Sequence, residues 1–260
     1  MKKYEFTGEK RIVYGRTLHQ IKALISFGFV SAGDLGGWIE KEENLIQDGD
    51  AWVFGDAKVF GNAKVFGDAE VSGDAWVFGN AKVSGDAWVF GDAKVFGNAK
   101  VSGNAKVSGN AKVFGDAKVS GNAKVSGNAK VSGDAEVSGD AWVFGNAKVF
   151  GDAKVFGNAK VSGDAKVSGD AEVFGDAEVS GDAWVFGNAH IMWVSKIGSR
   201  NDTVTFMRSK ELKIIVDVGC FRGTIDEFEK KVKETHGDNE HARAYFLTIQ
   251  LAKLRINLSE

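Results

Sequence analysis

The chain has 260 residues, with 33 lysines and arginines against 35 aspartates and glutamates and a formal net charge of −2. This balance argues against a strong general attraction to nucleic acid or to anionic membranes. The single cysteine, Cys220, excludes an intrachain disulfide, and the chain lacks the run of about 18 apolar residues that a membrane span needs. We expect a cytoplasmic protein without a signal peptide, because residues 4–9 lack an apolar core.

The first 49 residues are not repetitive, and they predict a small α+β cap. Residues 5–7 and 11–14 have the composition of short strands. Thr17 is a candidate N-cap for a helix that runs to about Phe27. Four apolar residues at helical spacing support this helix: Leu18, Ile21, Leu24 and Ile25.

Two short segments before the repeats, residues 36–39 and 44–46, predict irregular first sides of the array that follows. The end of a solenoid exposes unpaired strand edges and an open core, so it requires a capping element. We expect Trp38 to plug the mouth of the core. The alternative is a tryptophan that stacks on a ligand.

A six-residue unit repeats 23 times without insertion from Asp50 to Gly187, with the pattern Asp/Asn–Ala–Lys/Trp/Glu–Val–Phe/Ser–Gly. A period of six fits a helix poorly, and a glycine in every unit would cost a helix roughly 1 kcal/mol each. As a strand, the unit places alanine and valine on one face and its third and fifth residues on the other. Lysine or glutamate fills the third position in 18 of the 23 units. We therefore expect the alanines and valines to face inward, because a buried column of charge would be very costly.

Glycine followed by asparagine or aspartate predicts a corner after each strand, because these residues tolerate a positive φ. Three such sides make an 18-residue coil, and 23 sides make a rod about 35–40 Å long at the usual strand spacing. A column of phenylalanines at multiples of 18 supports this coil, although a two-sided coil of 12 residues stays open. Its members are Phe60, Phe78, Phe96, Phe114, Phe150 and Phe186.

With these repeats, residues 50–193 resemble the hexapeptide-repeat proteins that fold as a left-handed parallel β-helix. The resemblance implies the left hand, which general chirality rules would not supply. The ends of the chain resemble segments of uncharacterised bacterial and bacteriophage proteins, which implies no particular activity. Enzymes of this fold are mainly acyltransferases with a catalytic histidine and an inserted loop. No complete repeat here contains either, and His190 lies in a degenerate last unit.

Residues 194–260 predict a third domain, a β-meander followed by two helices. Its strands are expected at about 190–197, 202–208 and 212–218. Thr224 and Glu227 form a capping-box pattern that begins a helix ending near Thr235. A second helix is expected over residues 239–255, with an inner face formed by Ala242, Tyr245, Phe246, Ile249 and Ala252. The domain is larger than a cap needs, so it is a candidate for partner binding.

Several possible reactive residues have simpler structural interpretations. His236 and His241 are five residues apart, whereas a helical metal-binding pair needs a spacing of four. Cys220 is expected to be a small buried apolar residue. We predict a structural His190 and no catalytic residue, metal or cofactor.

Outward aromatic residues are the strongest candidate surface. Twelve repeats carry phenylalanine in the fifth position, and five carry tryptophan in the third, each followed two residues later by phenylalanine. Either the rings stabilise their own rod by offset packing, or a companion molecule covers them, and the two interpretations are compatible. The candidate partner-binding residues are Trp52, Phe54, Phe60, Trp76, Phe78, Trp88, Phe90, Phe96, Phe114, Trp142, Phe144, Phe150, Trp184 and Phe186.

Our preferred functional hypothesis is a non-enzymatic, rigid β-solenoid scaffold. It would associate with itself as a homo-oligomer or bind a protein partner, through its aromatic stripes and its end domains. The first alternative is an acyltransferase-like enzyme with a non-standard site near His190. The second is weak binding of nucleic acid or another anionic partner through Lys94 to Lys130, where seven consecutive units carry lysine.

Overall fold

The computed structural model describes residues 2–259. Before the repeats, the chain forms three strands: β1 (Tyr4–Val13), β2 (Arg16–Ala23) and β3 (Leu35–Ile39). Strands β1 and β2 pair as an antiparallel hairpin, and β2 pairs antiparallel with β3. A short 3-10 helix, Glu42–Asn44, precedes the first full repeat. The predicted helix from Thr17 to about Phe27 is wrong, because Leu18 and Ile21 serve as buried positions of a strand that extends the solenoid sheet.

Each hexapeptide contributes one strand of two residues, its third and fourth. In chain order these strands, β4 to β26, are Trp52–Val53, Lys58–Val59, Lys64–Val65, Glu70–Val71, Trp76–Val77, Lys82–Val83, Trp88–Val89, Lys94–Val95, Lys100–Val101, Lys106–Val107, Lys112–Val113, Lys118–Val119, Lys124–Val125, Lys130–Val131, Glu136–Val137, Trp142–Val143, Lys148–Val149, Lys154–Val155, Lys160–Val161, Lys166–Val167, Glu172–Val173, Glu178–Val179 and Trp184–Val185.

Each strand from β4 to β23 pairs in parallel with the strand three units further along, so the coil has three sides and 18 residues. Val95, for example, is in register with Val113. This register excludes the 12-residue coil and gives a solenoid of about eight coils with three faces. Face 1 carries every third strand from β5 to β26. Face 2 carries every third strand from β4 to β25, and face 3 carries every third strand from β6 to β24.

The interior of the solenoid consists of alanine and valine. Every second-position alanine and every fourth-position valine of the 23 units is 0% exposed. Burial of these apolar side chains removes their surface from water in one continuous core. The predicted inward orientation of alanine and valine is therefore confirmed.

Corners of the solenoid follow the predicted glycine chemistry. The glycines that end the first 22 units have φ between 57° and 73°, a region that residues with a Cβ adopt at a cost. Corner asparagines form amide ladders along the rod. Asn62 donates to Asn80, Asn80 to Asn98, and Asn98 to the carboxylate of Asp116, over 2.9–3.2 Å. These bonds satisfy polar groups that repeat at every coil.

The irregular first sides of the solenoid are confirmed. Strand β3 pairs in parallel with β5, and Leu45 forms a parallel bridge with Val65. Trp38, however, does not plug the core. It is in register with Lys58 on the outer surface, where it packs against Leu18 and lies 4.2 Å from the guanidinium of Arg11.

Other residues close the N-terminal mouth of the core. Tyr4 and Ile21, both at most 1% exposed, belong to the same apolar cluster as the alanines and valines. The hydroxyl of Tyr4 donates to the carbonyl oxygen of Leu45 at 2.7 Å, which keeps its polar end paired inside the cap.

The C-terminal domain is a four-stranded antiparallel sheet with two helices. Its strands are β27 (Ile191–Ile197), β28 (Asp202–Arg208), β29 (Ile214–Val218) and β30 (Phe221–Thr224), and a 3-10 helix, Asn188–His190, precedes them. Helix α1 spans Ile225–His236 and helix α2 spans Glu240–Arg255. The meander, both helices and the capping box are confirmed, whereas β30 was not predicted.

Strand β28 lies across the last coil of the solenoid. Met207 is 0% exposed and joins the valine core, so it closes the C-terminal mouth. Thr205 accepts a hydrogen bond from the backbone of Glu178, and the backbone of Lys210 donates to the carbonyl of Asp182. Side-chain and backbone bonds thus attach the domain to the rod.

The corner glycines allow a paired stability test. A Cβ added at Gly115 would lie 2.9 Å from the backbone nitrogen of Gly133, whereas one added at Gly55 would have no neighbour closer than 4.0 Å. Both glycines have positive φ, so only the lack of space distinguishes them. We expect Gly115→Ala to lower the free energy of unfolding by at least about 1 kcal/mol more than Gly55→Ala. Urea denaturation followed by circular dichroism measures the difference, and equal midpoints would contradict this account.

A buried lysine makes the stability of the cap depend on pH. Lys3 is 2% exposed, and its Nζ donates to the carbonyls of Gly49 and Ala51 at 3.0 and 2.9 Å. Burial lowers the pKa of Lys3 from 10.5 to about 8, against an opposing effect of Asp50. The Lys3 side chain therefore binds its ammonium proton more tightly in the unfolded chain than in the folded protein. As a result, the free energy of unfolding should rise as the pH increases from about 8 to 10.5.

Thermal melts across this pH range test the effect. Lys3→Met should abolish the contribution of Lys3 to the increase in the free energy of unfolding. Lys2→Met is the control, because Lys2 forms an exposed ion pair with Glu42, and it should retain this increase. The same pH dependence in both variants would show that another group is responsible.

Candidate functional site

The aromatic residues stack in columns along the faces of the rod. On face 1, Phe60, Phe78, Phe96 and Phe114 lie one coil apart, with ring centroids separated by 5.1, 4.9 and 4.9 Å. Their ring planes are parallel to within 4°. Each inner ring of the column is thus covered on both sides by a neighbour of the same chain, an arrangement that stabilises the rod.

Tryptophans in the third position are covered by lysines in a similar way. The parallel register places Lys106 one coil after Trp88, with its Nζ 4.4 Å from the indole. Lys94 lies in the same way 4.7 Å from the Trp76 ring. Cation–π contacts of this kind occupy a face of the indole, which leaves less of the ring for a partner.

The predicted partner-binding residues differ widely in exposure. Trp52 and Phe60 are buried, at 1% and 5%, and Phe27 of the N-terminal segment packs on Trp52 at 5.4 Å. Trp88, Trp142 and Phe150 are exposed, at 39%, 40% and 36%. The other predicted residues are half-buried: Phe54, Trp76, Phe78, Phe90, Phe96, Phe114, Phe144, Trp184 and Phe186.

These residues do not converge on one site. Trp88 and Trp142 share face 2 but lie three coils apart, with Lys106 and Lys124 between them in the same column. Phe150 lies on face 1. The structure therefore presents separate exposed aromatic rings along the rod.

Lysines of the segment from Lys94 to Lys130 are divided among all three faces, as the three-sided coil requires. Face 1 receives three of them, and faces 2 and 3 receive two each. Lys118, the last of these lysines on face 3, pairs with Glu136 on the next coil. The positive charge is therefore spread around the rod, and no face gathers all seven lysines.

His190 is engaged in local structure at the junction with the C-terminal domain. Its Nδ1 accepts a hydrogen bond from the backbone nitrogen of Phe186 at 3.0 Å. Burial, with a smaller effect of Arg208, lowers the pKa of His190. A neutral imidazole is consistent with this accepted bond.

In residues 2–259, no three histidine, cysteine, aspartate or glutamate side chains gather to hold a metal ion. Over the same residues, none of the helices has the length and apolar character to cross a membrane. Cys220 is exposed, so the prediction of a buried thiol is wrong. It lies in the turn between β29 and β30, outside the apolar cluster of the domain.

A second surface, on helix α2, was missed by the sequence analysis. Leu247, Leu251 and Leu254 are 68%, 48% and 85% exposed on the side of α2 that faces away from the domain core. Their spacing of four and three residues forms a narrow seam of the kind found in coiled coils. This spacing is visible in the sequence, but the prediction for this helix concerned only its inner face. We call these three residues the leucine seam.

A comparison of the chain with models of protein families finds no match, and a comparison with curated proteins finds none either.

The phenylalanine column allows a matched test of ring stacking. Phe96 stacks between two rings, whereas Phe150 has serines, Ser132 and Ser168, before and after it in the same column. Because each stacked pair contributes roughly 0.5–1.5 kcal/mol, Phe96→Ser should lower the free energy of unfolding about 1–3 kcal/mol more than Phe150→Ser. Chemical denaturation measures both. Equal losses would mean that the column adds nothing beyond the burial of single rings.

Proposed function

We propose that this protein is a non-enzymatic, rigid β-solenoid scaffold that associates with itself through its C-terminal domain. The leucine seam carries the proposal, because three large apolar side chains on one exposed helix face are unusual for a surface that stays in water. The rod supports it as well. Its uniform coils and mutually covered aromatic columns suit a spacer that holds end domains at a fixed distance.

The occupant we propose for the leucine seam is α2 of a second copy. An antiparallel pair centred near Ile249 would set Leu247 of one copy beside Leu251 of the other. Because the seam is narrow, another helix is a better partner for it than a broad apolar surface would be. Both copies contribute the same residues to this contact, as a two-fold symmetric interface requires.

The helix dipoles favour the antiparallel orientation of this pair. An antiparallel arrangement sets the positive N-terminal end of one α2 beside the negative C-terminal end of the other, whereas a parallel arrangement places like ends together. Charged side chains do not decide the orientation, because Lys253 already pairs with Glu229 of its own copy and Arg243 would face Arg255 of the other.

Two resemblances support further parts of the proposal. The hexapeptide repeats imply a left-handed solenoid, and the ends of the chain, which resemble segments of bacterial and bacteriophage proteins, imply such an origin for the scaffold. The exposed side chains of Trp88 and Trp142 on face 2 are the second surface that we propose for a protein partner. These two rings are separated by three coils, so they suit an elongated partner better than a compact one.

Sedimentation velocity over a wide range of concentration tests the self-association. The wild-type protein should sediment as a dimer, and the triple variant Leu247→Ser/Leu251→Ser/Leu254→Ser should sediment as a monomer, because it removes the apolar seam without touching the core. Leu35→Ser is the matched control, since Leu35 is 60% exposed at the opposite end of the rod.

Three outcomes would contradict the proposal. The first is a wild-type protein that remains a monomer at every concentration, and the second is a triple variant that dimerises like the wild type. The third is a dimer that dissociates when only Trp88→Ala/Trp142→Ala is introduced, which would place the interface on face 2. Circular dichroism of each variant shows that its fold is intact.

A further inference from the structure

A groove of about 360 Å³ opens on the C-terminal domain, away from the leucine seam. Three parts of the domain form it: the turn between β27 and β28, the turn between β29 and β30, and the stretch of α1 from Phe228 to His236 with Tyr245 of α2. Its volume is at the lower end of the range for small-molecule sites, which limits an occupant to one or two rings.

Aromatic side chains form the floor of the groove. Phe228 and Tyr245 are 4% and 7% exposed, and their rings meet edge to face at 5.3 Å. Phe221 packs against Phe228 at 5.3 Å, and the imidazole of His236 stacks on Tyr245 at 5.9 Å. The cluster fixes the rings in place, and the half-buried Phe221 and His236 offer a planar ligand the accessible part of this apolar base.

The rim of the groove carries an excess of positive charge. Arg200 and Lys231 line it together with His236, and Asp202 is the carboxylate among the lining residues. Lys231 has only a long contact, 3.9 Å, with the carboxylate of Glu234. Both cations are exposed, so each is free to turn toward an anion.

The hydroxyl of Tyr245 adds a donor near Arg200. A Cβ added at Gly198 would overlap this hydroxyl oxygen, which places the hydroxyl against the turn that carries Arg200. Gly198 has φ +74°, so the close approach and the left-handed backbone both require glycine there. Burial, with a smaller effect of Asp202, raises the pKa of Tyr245 and keeps the hydroxyl protonated as a donor.

We propose that this groove binds a small aromatic anion, a planar compound of one or two rings with a carboxylate or phosphate group. The ring would lie against Phe221, above the buried base that Phe228 and Tyr245 form. The anionic group would lie between Arg200 and Lys231. A cationic aromatic compound would meet the same floor but would be repelled at the rim.

Ligand-detected saturation-transfer NMR on the full chain tests this inference. The anionic probes are indole-3-acetate, which carries a carboxylate, and adenosine monophosphate, which carries a phosphate. Benzylamine, an aromatic compound with a positive charge, is the cationic comparison. We expect saturation transfer to at least one anionic probe and weaker transfer to benzylamine. The double variant Arg200→Gln/Lys231→Gln should weaken the binding roughly tenfold or more, because it removes charged hydrogen-bond donors.

A matched control and a second readout localise the effect. Lys230→Gln/Lys233→Gln removes two cations of the same helix that do not line the groove, and it should bind like the wild type. Cys220, the sole thiol of the chain, does line the groove, so a bound probe should slow its alkylation by the uncharged reagent iodoacetamide.

The inference is overturned if neither anionic probe shows transfer, if benzylamine binds as tightly, or if the two double variants behave alike. Binding without slower alkylation of Cys220, and without loss in the Arg200/Lys231 variant, would place the ligand elsewhere. None of these results depends on the leucine seam, so self-association and ligand binding succeed or fail separately.

Discussion

The parallel register of 18 residues is the constraint on which the rest of this structure depends. It sets every side chain of the array directly against the residue one coil away, so that valine meets valine and alanine meets alanine throughout the core. The same register that fills the interior also stacks the outer surface. Ring columns, lysine–tryptophan contacts and amide ladders are all consequences of it, because like positions lie about 4.8 Å apart.

That constraint has a cost wherever like charges share a column. Lysine follows lysine along much of face 3, and the array relieves the repulsion at Glu136 and Glu172, which pair with Lys118 and Lys154 of neighbouring coils. Corner columns use asparagine in a related way, since its amide donates to the next coil and accepts from the previous one. The outer residues of the repeat are therefore selected partly by what they meet along the rod.

The fold of the repeats was largely predictable from sequence, because one period repeated 23 times carries the same information in every unit. The capping box at Thr224 and Glu227 was predictable for a different reason, since it is a local pattern with a local structural result. The N-terminal segment was not. Leu18 and Ile21 fit a helix by spacing, but pairing with β3 decided their conformation, and sequence alone does not show that contact.

The candidate surfaces were predicted less well than the fold. Outward aromatic residues were identified correctly as a periodic feature, yet their burial by neighbouring lysines and phenylalanines depends on side-chain packing between coils.

Coil geometry also has an evolutionary consequence for the two ends. A duplication of 18 codons would lengthen the rod by one full turn and leave both terminal domains in the same relative orientation. A duplication of six codons would swing one end about a third of a revolution around the rod axis, so we expect changes in array length to be tolerated in whole turns.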